Sequence, residues 1–432
     1  MEIPLDGSGR KRFALVSSLA IAALLSFQAG EVWLANQRIN SQDLDSIERG
    51  ASLMPGNGEA WDRVGRFEEY DFADPNPAAA IDAYRRAIKD DPNSSYYWLD
   101  LGSAYELAGD DAQAQHAFEQ ARSDYPLSAL VSWTYGNFLL RRQAYGQAFA
   151  EIQMSVRADP RLLPLAISRV WRSNENVNQL LDRALPPDTN AYLQAIDFFV
   201  SIHEMDPGIA AWNRLIGLNQ PFDLSRSFPF MDELISENRA DDAGRVWRQA
   251  LEVTGAGTAK PADHSAIWDG TFTHEFSNGG LGWRWHSLLG AAIDFDSPPP
   301  SESGRSVRID FGGGSNPDLH EPAQVVVVDP GRIYHFHAEM KTEGITTESG
   351  LQFSISDPSH SSVVNATTDK LTGTHGWTSL DAELKTAPDS HLVKVRLIRI
   401  PSRLFDNKLA GTVWIANISL VPSEGGTGQV SP

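Results

Sequence analysis

Three prolines, Pro92, Pro126 and Pro160, stand 34 residues apart, and a fixed period of that length restricts a chain to like units stacked in a line. Small and aromatic residues recur with it. The unit ending at Pro126 carries Trp98, Leu101, Gly102, Tyr105, Ala114, Phe118 and Ala121. The preceding unit has Trp61, Val64, Gly65, Ala80, Tyr84 and Ala87, with three extra residues in its turn around Asp74, Pro75 and Asn76. The following unit has Gly136, Leu139, Ala148 and Ile152, with Ser155 in place of alanine. Glycine and alanine at helix crossings allow close approach, and aromatic side chains fill the groove between neighbouring pairs. Proline, lacking an amide proton, ends each second helix.

This pattern resembles the tetratricopeptide repeat over Trp61 to Pro160, with every signature position filled in WLDLGSAYELAGDDAQAQHAFEQARSDYP. The resemblance implies an α-solenoid of helix pairs that docks protein partners on the face lined by its first helices. Beyond Arg161 the period decays while helical spacing persists in Leu162–Trp171, Val177–Leu185, Ala191–Met205 and Ile209–Leu218. Ala243, Trp247 and Ala250 echo a second helix, so the helical domain is expected over residues 41–254. Repeat domains of the chaperone-binding type grip a C-terminal carboxylate with lysine and asparagine on their first helices. Here Asp62, Arg66, Leu99, Ser103, Trp133 and Asn137 hold those places, so that clamp is absent and another class of protein is expected as partner.

Ahead of the repeats, Arg10, Lys11 and Arg12 precede an uncharged run from Phe13 to Gly30, about 27 Å long as a helix at ~1.5 Å per residue, nearly the hydrocarbon thickness of a bilayer. Basic residues stay on the cytoplasmic side. Residues 1–12 are therefore expected as a cytoplasmic tail, 13–34 as an uncleaved signal anchor in the inner membrane, and the bulk of the chain as periplasmic. A cleaved signal peptide fits less well, because a cut after Ala29 would put Phe27 at a position that requires a small residue.

A Gly/Ala/Pro-containing joint at 255–264 ends the helical pattern, and alternation with a period of two takes over. Strands are expected at Ser306–Phe311, Ala323–Val328, Tyr334–Lys341, Leu351–Ser356, Thr378–Leu384, Leu392–Ile400 and Val413–Val421, forming an antiparallel sandwich over 265–422 before a disordered tail at 423–432. The stretches WDGTFTHEFSNGGLGWRW, AQVVVVDPGRIYHFHAEMKTEGI, TGTHGWTSLDAEL and RLIRIPSRLFDNKLAGTVWIANISL resemble bacterial jelly-roll modules of the carbohydrate-binding, galactose-binding-like class. That resemblance implies a glycan ligand. Sugars stack on flat aromatic faces rimmed by polar groups, and the residues suited to this are Trp283, Trp285 and Trp377 with Gln352, Arg399 and Asp406. Trp414, between Val413 and Ile415, reads as structural. The calcium site of many such modules uses an acidic residue in the last strand, where this chain has Ala416, which puts the ion in doubt. His335 and His337 share a strand face but have no third ligand nearby in sequence, and read as surface histidines rather than a metal site.

Composition narrows the function classes. A net charge of −20 with no basic stripe disfavours nucleic acid, and the lack of any cysteine removes disulfides, thiolate metal sites and cysteine nucleophiles. No nucleophile elbow, His-Glu-x-x-His or phosphate loop is present, and Gly312–Gly314 follows a strand without opening a helix. The sequence thus predicts a multidomain, cofactor-free, non-enzymatic envelope scaffold: a transmembrane helix, an α-solenoid that docks envelope proteins, and a jelly roll that contacts polysaccharide. The resemblance implies a role in cell-surface polysaccharide assembly or export. The rival readings are a purely protein-binding adaptor and, less favoured, a polysaccharide hydrolase.

Overall fold

The computed structural model describes residues 8–71, 75–257, 264–300, 302–362, 364–405 and 407–423. It divides into two compact units, residues 1–186 and 187–432.

The first unit opens with α1 (Ser8–Ile39). Its part from Arg12 to Ile39 is long and apolar enough to cross a membrane, and its large apolar side chains are exposed from Phe13 to Trp33. The helix does not stop at the expected end of the anchor, residue 34. Its last turns bury Ala35 and Ile39 against α2 (Leu44–Leu53) in one core with Ile47, Ala51, Trp61 and Val64. Gly50 permits this crossing, since a Cβ there would lie 2.8 Å from the Ile39 nitrogen and 2.9 Å from the Ala35 oxygen.

Three helix pairs follow: α3 (Gly58–Tyr70) with α4 (Pro77–Asp90), α5 (Ser95–Leu107) with α6 (Asp111–Asp124), and α7 (Ala129–Arg141) with α8 (Tyr145–Ala158). Asn57, Asn76, Asp110 and Ser128 cap four of them by accepting a hydrogen bond from the backbone three residues on. The repeated glycine faces the second helix each time. A Cβ on Gly65 would sit 2.5 Å from the Tyr84 ring, on Gly102 2.7 Å from the Phe118 ring, and on Gly136 3.0 Å from Ile152. The repeated tryptophan has a second role beyond packing: Trp61 and Trp98 donate their indole N–H to the carbonyls of Pro55 and Pro92, at 3.3 and 2.8 Å, tying each first helix to the turn before it. The unit continues through α9 (Leu163–Asn174) and α10 (Val177–Gln179), which runs into a π-helical turn at Leu180–Ala184.

The second unit contains α11 (Thr189–Ser201), α12 (Met205–Gly217), α13 (Phe228–Ser236) and α14 (Ala240–Thr254) together with the sandwich. The helix expected across Ala191–Met205 breaks before its end, where His203 takes a left-handed φ of 57°. Among the described residues nine strands follow: β1 (Ala291–Asp296), β2 (Ser306–Gly312), β3 (Ala323–Val327), β4 (Ile333–Ile345), β5 (Gln352–Ser356), β6 (Asn365–Thr367), β7 (Gly373–Lys385), β8 (Leu392–Ile398) and β9 (Ala410–Pro422). All seven expected strands are present; β1 and β6 are additional. The sheets run β1-β2-β9-β4-β7 and β3-β8-β5-β6, every pairing antiparallel. Setting β1 aside, eight strands are divided between two four-stranded sheets in the jelly-roll order. Phe336, Met340, Phe353, Val395 and Ile415 meet in the core between them.

The expected joint at 255–264 marks the change from helix to strand but not the division into compact units, because the last helix pair packs on the sandwich. The Trp247 and Trp268 rings meet edge to face at 5.2 Å. Arg284 pairs with Asp232, and Gly279 lies flat against Phe228, where a Cβ would come within 2.2 Å of the ring. A cavity of about 680 Å³ remains between α14 and β3, lined by Trp247, Leu251, Trp268 and Val325. Residues 258–263, which follow Gly257 in its lining, lie outside the described residues.

Candidate functional site

On the repeats, the positions that would hold a carboxylate clamp form a different surface. Arg66 on α3 bridges Asp62 at 3.1 Å and Asp100 of α5 at 2.7 Å. Asp62 is buried, and one of its carboxylate oxygens has no hydrogen-bond partner. Burial first, then the charge of Asp100, raise its pKa to about 7 against the pull of Arg66. Leu99 and Asn137 are also buried, while Ser103 and Trp133 are half-buried. Three or four residues from these, on the same helix faces, stand Tyr70, Tyr96, Leu107 and Leu130, all exposed. Exposed aromatic and aliphatic groups on one face of successive helices are suited to protein contact.

A carboxyl group raised from its ordinary 3.8 to about 7 stabilises the fold in its neutral form. That contribution is complete below the ordinary value and is lost as pH rises through about 7. Asp62→Asn is therefore expected to raise the denaturant midpoint of the first unit near pH 8 and to leave it unchanged near pH 4, as followed by circular dichroism.

Five of the six residues expected to bind sugar lie among the described residues, and they do not converge on one site. Trp283 is 1 % exposed, packs 5.4 Å from Phe272 and donates its indole N–H to the Asp269 carbonyl at 3.2 Å, so it presents no face to a ligand. Arg399 is likewise 1 % exposed. Its guanidinium is taken up by the carbonyls of Pro317 (2.7 Å), Ser349 (3.2 Å) and Asn407 (3.4 Å), by Asn316 Oδ1 (2.8 Å) and by Thr347 Oγ1 (3.4 Å). It pins loops rather than meeting solvent. Asp406 lies outside the described residues. Gln352 is half-buried on β5, in register with Ile398.

Trp285 is half-buried and forms one wall of a surface pocket of about 250 Å³, shared with His286, Leu288, Asp318, Leu319, His320 and Glu321. The Arg284–Ala323 bridge brings these two sequence stretches together. Asn278 fixes the turn by accepting the Trp285 amide at 2.8 Å. Glu321 accepts the His286 amide and pairs with His286 Nδ1 at 2.6 Å, and His320 pairs with Asp318 at 3.1 Å. The result is one aromatic wall with imidazoles and carboxylates at the rim, a chemistry that stacks and hydrogen-bonds a sugar ring. Leu319 also exchanges two 3.0 Å backbone hydrogen bonds with Arg399, so the arginine supports this pocket from behind.

Trp377 lies away from that pocket on the edge strand β7, one residue from Thr378, the partner of Met340. Trp414 is in register with Arg308 and Lys341, and Lys341 Nζ lies 4.1 Å from its ring centroid. Trp414 donates to Asp296 at 3.1 Å and lies on the outer sheet face, opposite the buried Val413 and Ile415. The sequence reads Trp414 as structural, and the same alternation between two core residues turns its side chain outward. His335 and His337 pair across to Glu383 and Asp381. Ala416 is buried and its methyl side chain offers no cation ligand, and Asn417 bonds Glu339 at 2.9 Å. His203, Glu233 and Glu237 bring possible ligand atoms within 4.8 Å of one another, but His203 already pairs with Glu233 at 2.7 Å, and an ordinary ion pair accounts for the grouping.

Residues 75–114 and 108–162 match the tetratricopeptide repeat family TPR_16. No curated protein matches the chain. Among solved structures, the chain is similar to a CBM4 structure (15 % identity, TM-score 0.27, covering 36 % of this chain and 99 % of that one). It is also similar to YrrB, a TPR protein with an unusual peptide-binding site (10 %, 0.26, 50 % and 95 %), and to yeast Tom70 (14 %, 0.29, 52 % and 49 %). The chain joins tetratricopeptide repeats, which serve protein–protein interaction, to a C-terminal jelly-roll sandwich behind an N-terminal apolar helix that is a candidate single-pass anchor.

Proposed function

We propose that this protein is a non-enzymatic scaffold anchored in the inner membrane, with its bulk in the periplasm, that docks envelope proteins on its repeats and binds glycan through its sandwich during assembly or export of cell-surface polysaccharide. The observation that carries the glycan reading is the pocket walled by Trp285 and rimmed by Asp318, His320, Glu321 and His286. Protein docking is supported by the exposed Tyr70, Tyr96, Leu107 and Leu130 on the first helices.

Full-length protein in lipid nanodiscs, run through affinity gels cast with individual envelope polysaccharides, tests the glycan reading. Retention is expected on at least one gel, and Trp285→Ala weakens it about tenfold, equivalent to about 1.4 kcal/mol. If no gel retains the wild type, the protein is an adaptor for proteins alone. Release of reducing ends from any of these polysaccharides would instead make it a hydrolase. Tyr96→Asp combined with Leu130→Asp is expected to remove partners that co-purify with the wild type while leaving glycan retention unchanged.

A further inference from the structure

The outer face of the β3-β8-β5-β6 sheet gathers cations in a chain whose net charge is −20. Residues paired across antiparallel strands point to the same side, so the register sets them in rows. Arg284, Ala323, Arg396 and Ser354 form one row, and Val325, Lys394 and Ser356 form the next. The alternate residues Phe353, Ile355, Val393 and Val395 fill the core, which leaves both rows on the outer side.

Nothing on these strands balances the charge. β3, β5, β6 and β8 contain no Asp or Glu at any position. Arg284 is paired by Asp232 of α13. Arg396 Nη2 donates to Ser356 Oγ at 3.1 Å, but its Nε, like that of Arg284, is buried with no acceptor among the described residues. The carboxylate that acts on Lys394 is Glu321, and His286 already holds it at 2.6 Å. Burial first, then the charges of Arg396 and Arg284, lower the Lys394 pKa. Half-buried cations kept together against their mutual repulsion, with donors to spare, form a seat for an anion.

That seat adjoins the Trp285 pocket. The Arg284–Ala323 pairing, carried two residues on, sets His286 beside Glu321, and Glu321 accepts the His286 amide there. These two residues rim the pocket. Two residues along a strand span about 7 Å, so the rim and the row of arginines are neighbours on one face. The rim brings no competing anion, since Glu321 is paired with His286 and Asp318 with His320. A glycan lying across both places a ring in the pocket and carries a negative substituent to the cations. Guanidinium and hydroxyl donors suit a carboxylate, whose two oxygens accept side by side.

We propose that the glycan is acidic: a carboxylate of a uronic-acid-containing polysaccharide seats among Arg284, Arg396 and Lys394 while a neighbouring ring occupies the Trp285 pocket. The inference rests on the reading of that pocket as a glycan site. Full-length protein in nanodiscs is run through affinity gels cast with polygalacturonate, alginate or hyaluronate, and with each polymer after its carboxyl groups have been reduced to alcohols. At least one acidic polymer is expected to retain the protein, about tenfold more strongly than its reduced form, as befits hydrogen bonds to a charged group. Lys394→Met with Arg396→Met is expected to lower retention on the acidic polymer to the level of the reduced one and to leave binding to the reduced one unchanged. Lys394→Arg, which keeps the charge, retains most of the binding and separates loss of charge from loss of fold. Equal retention by acidic and reduced polymers overturns the proposal and leaves the glycan reading standing. Acid-specific retention that survives the double variant places the anion elsewhere and also overturns it. Failure of every gel, acidic and neutral, would instead remove the glycan reading itself.

Discussion

Arg399→Met lowers the stability of the second unit by about 3 kcal/mol or more, because each buried acceptor left without a donor costs about 1–3 kcal/mol and methionine strands several at once. The Pro317 and Ser349 carbonyls and Asn316 Oδ1 all take hydrogen from this guanidinium. Burial lowers the pKa of Arg399, against the charges of Glu348 and Asp318, so the site holds the cation at a cost that its hydrogen bonds offset. Arg399→Lys is expected to recover little of the loss, since an ammonium cannot match the planar fork. Denaturant unfolding monitored by tryptophan fluorescence checks both variants. A loss under about 1 kcal/mol for Arg399→Met would mean that the loops hold without it.

In the first unit, Phe118→Ala is expected to cost about 3–5 kcal/mol by leaving a cavity, since the ring is completely buried against Gly102, Tyr135 and Phe138. Gly102→Val drives a side chain into the same ring, where a Cβ would already sit 2.7 Å away, and costs about 1–3 kcal/mol. The double variant tests whether the contact is the one described. With the ring gone the valine fills vacated space, so the combined loss should fall below the sum of the single losses by about 1 kcal/mol. Strict additivity would show that the glycine is required for some reason other than the ring.

The glycine–aromatic contact explains why the repeats were legible in the sequence. Gly102 with Phe118 and Gly136 with Ile152 place the contact at one spacing, and Gly65 with Tyr84 departs from it only by the three extra residues in that unit's turn. Seven strands were legible for a similar reason, since strands such as β4 and β9 alternate core and surface residues along most of their length. Residues whose surroundings come from distant segments were not. Trp283 is buried by an irregular turn with no period, and Arg399 carries a charge that ordinarily signals exposure. Apart from His286, the polar partners of Trp285 are remote in sequence and are brought to it by the pairing of Arg284 with Ala323. β1 was missed although Asp294 and Asp296 alternate with Ile293 and Phe295 as its burial does, and β6 because three residues are too few to show a pattern.

The continuous helix from the apolar span into the packed Ala35 and Ile39 has a mechanical consequence. A domain hung on a pliant stalk forgets the orientation of its tether within a few residues. Here no hinge separates the two, and the crossing at Gly50 grips the end of the shaft. With α1 as the proposed anchor, a tilt or axial turn of that helix would be passed to the first repeat as the same rigid rotation, and the azimuth of the repeats would be set by the span.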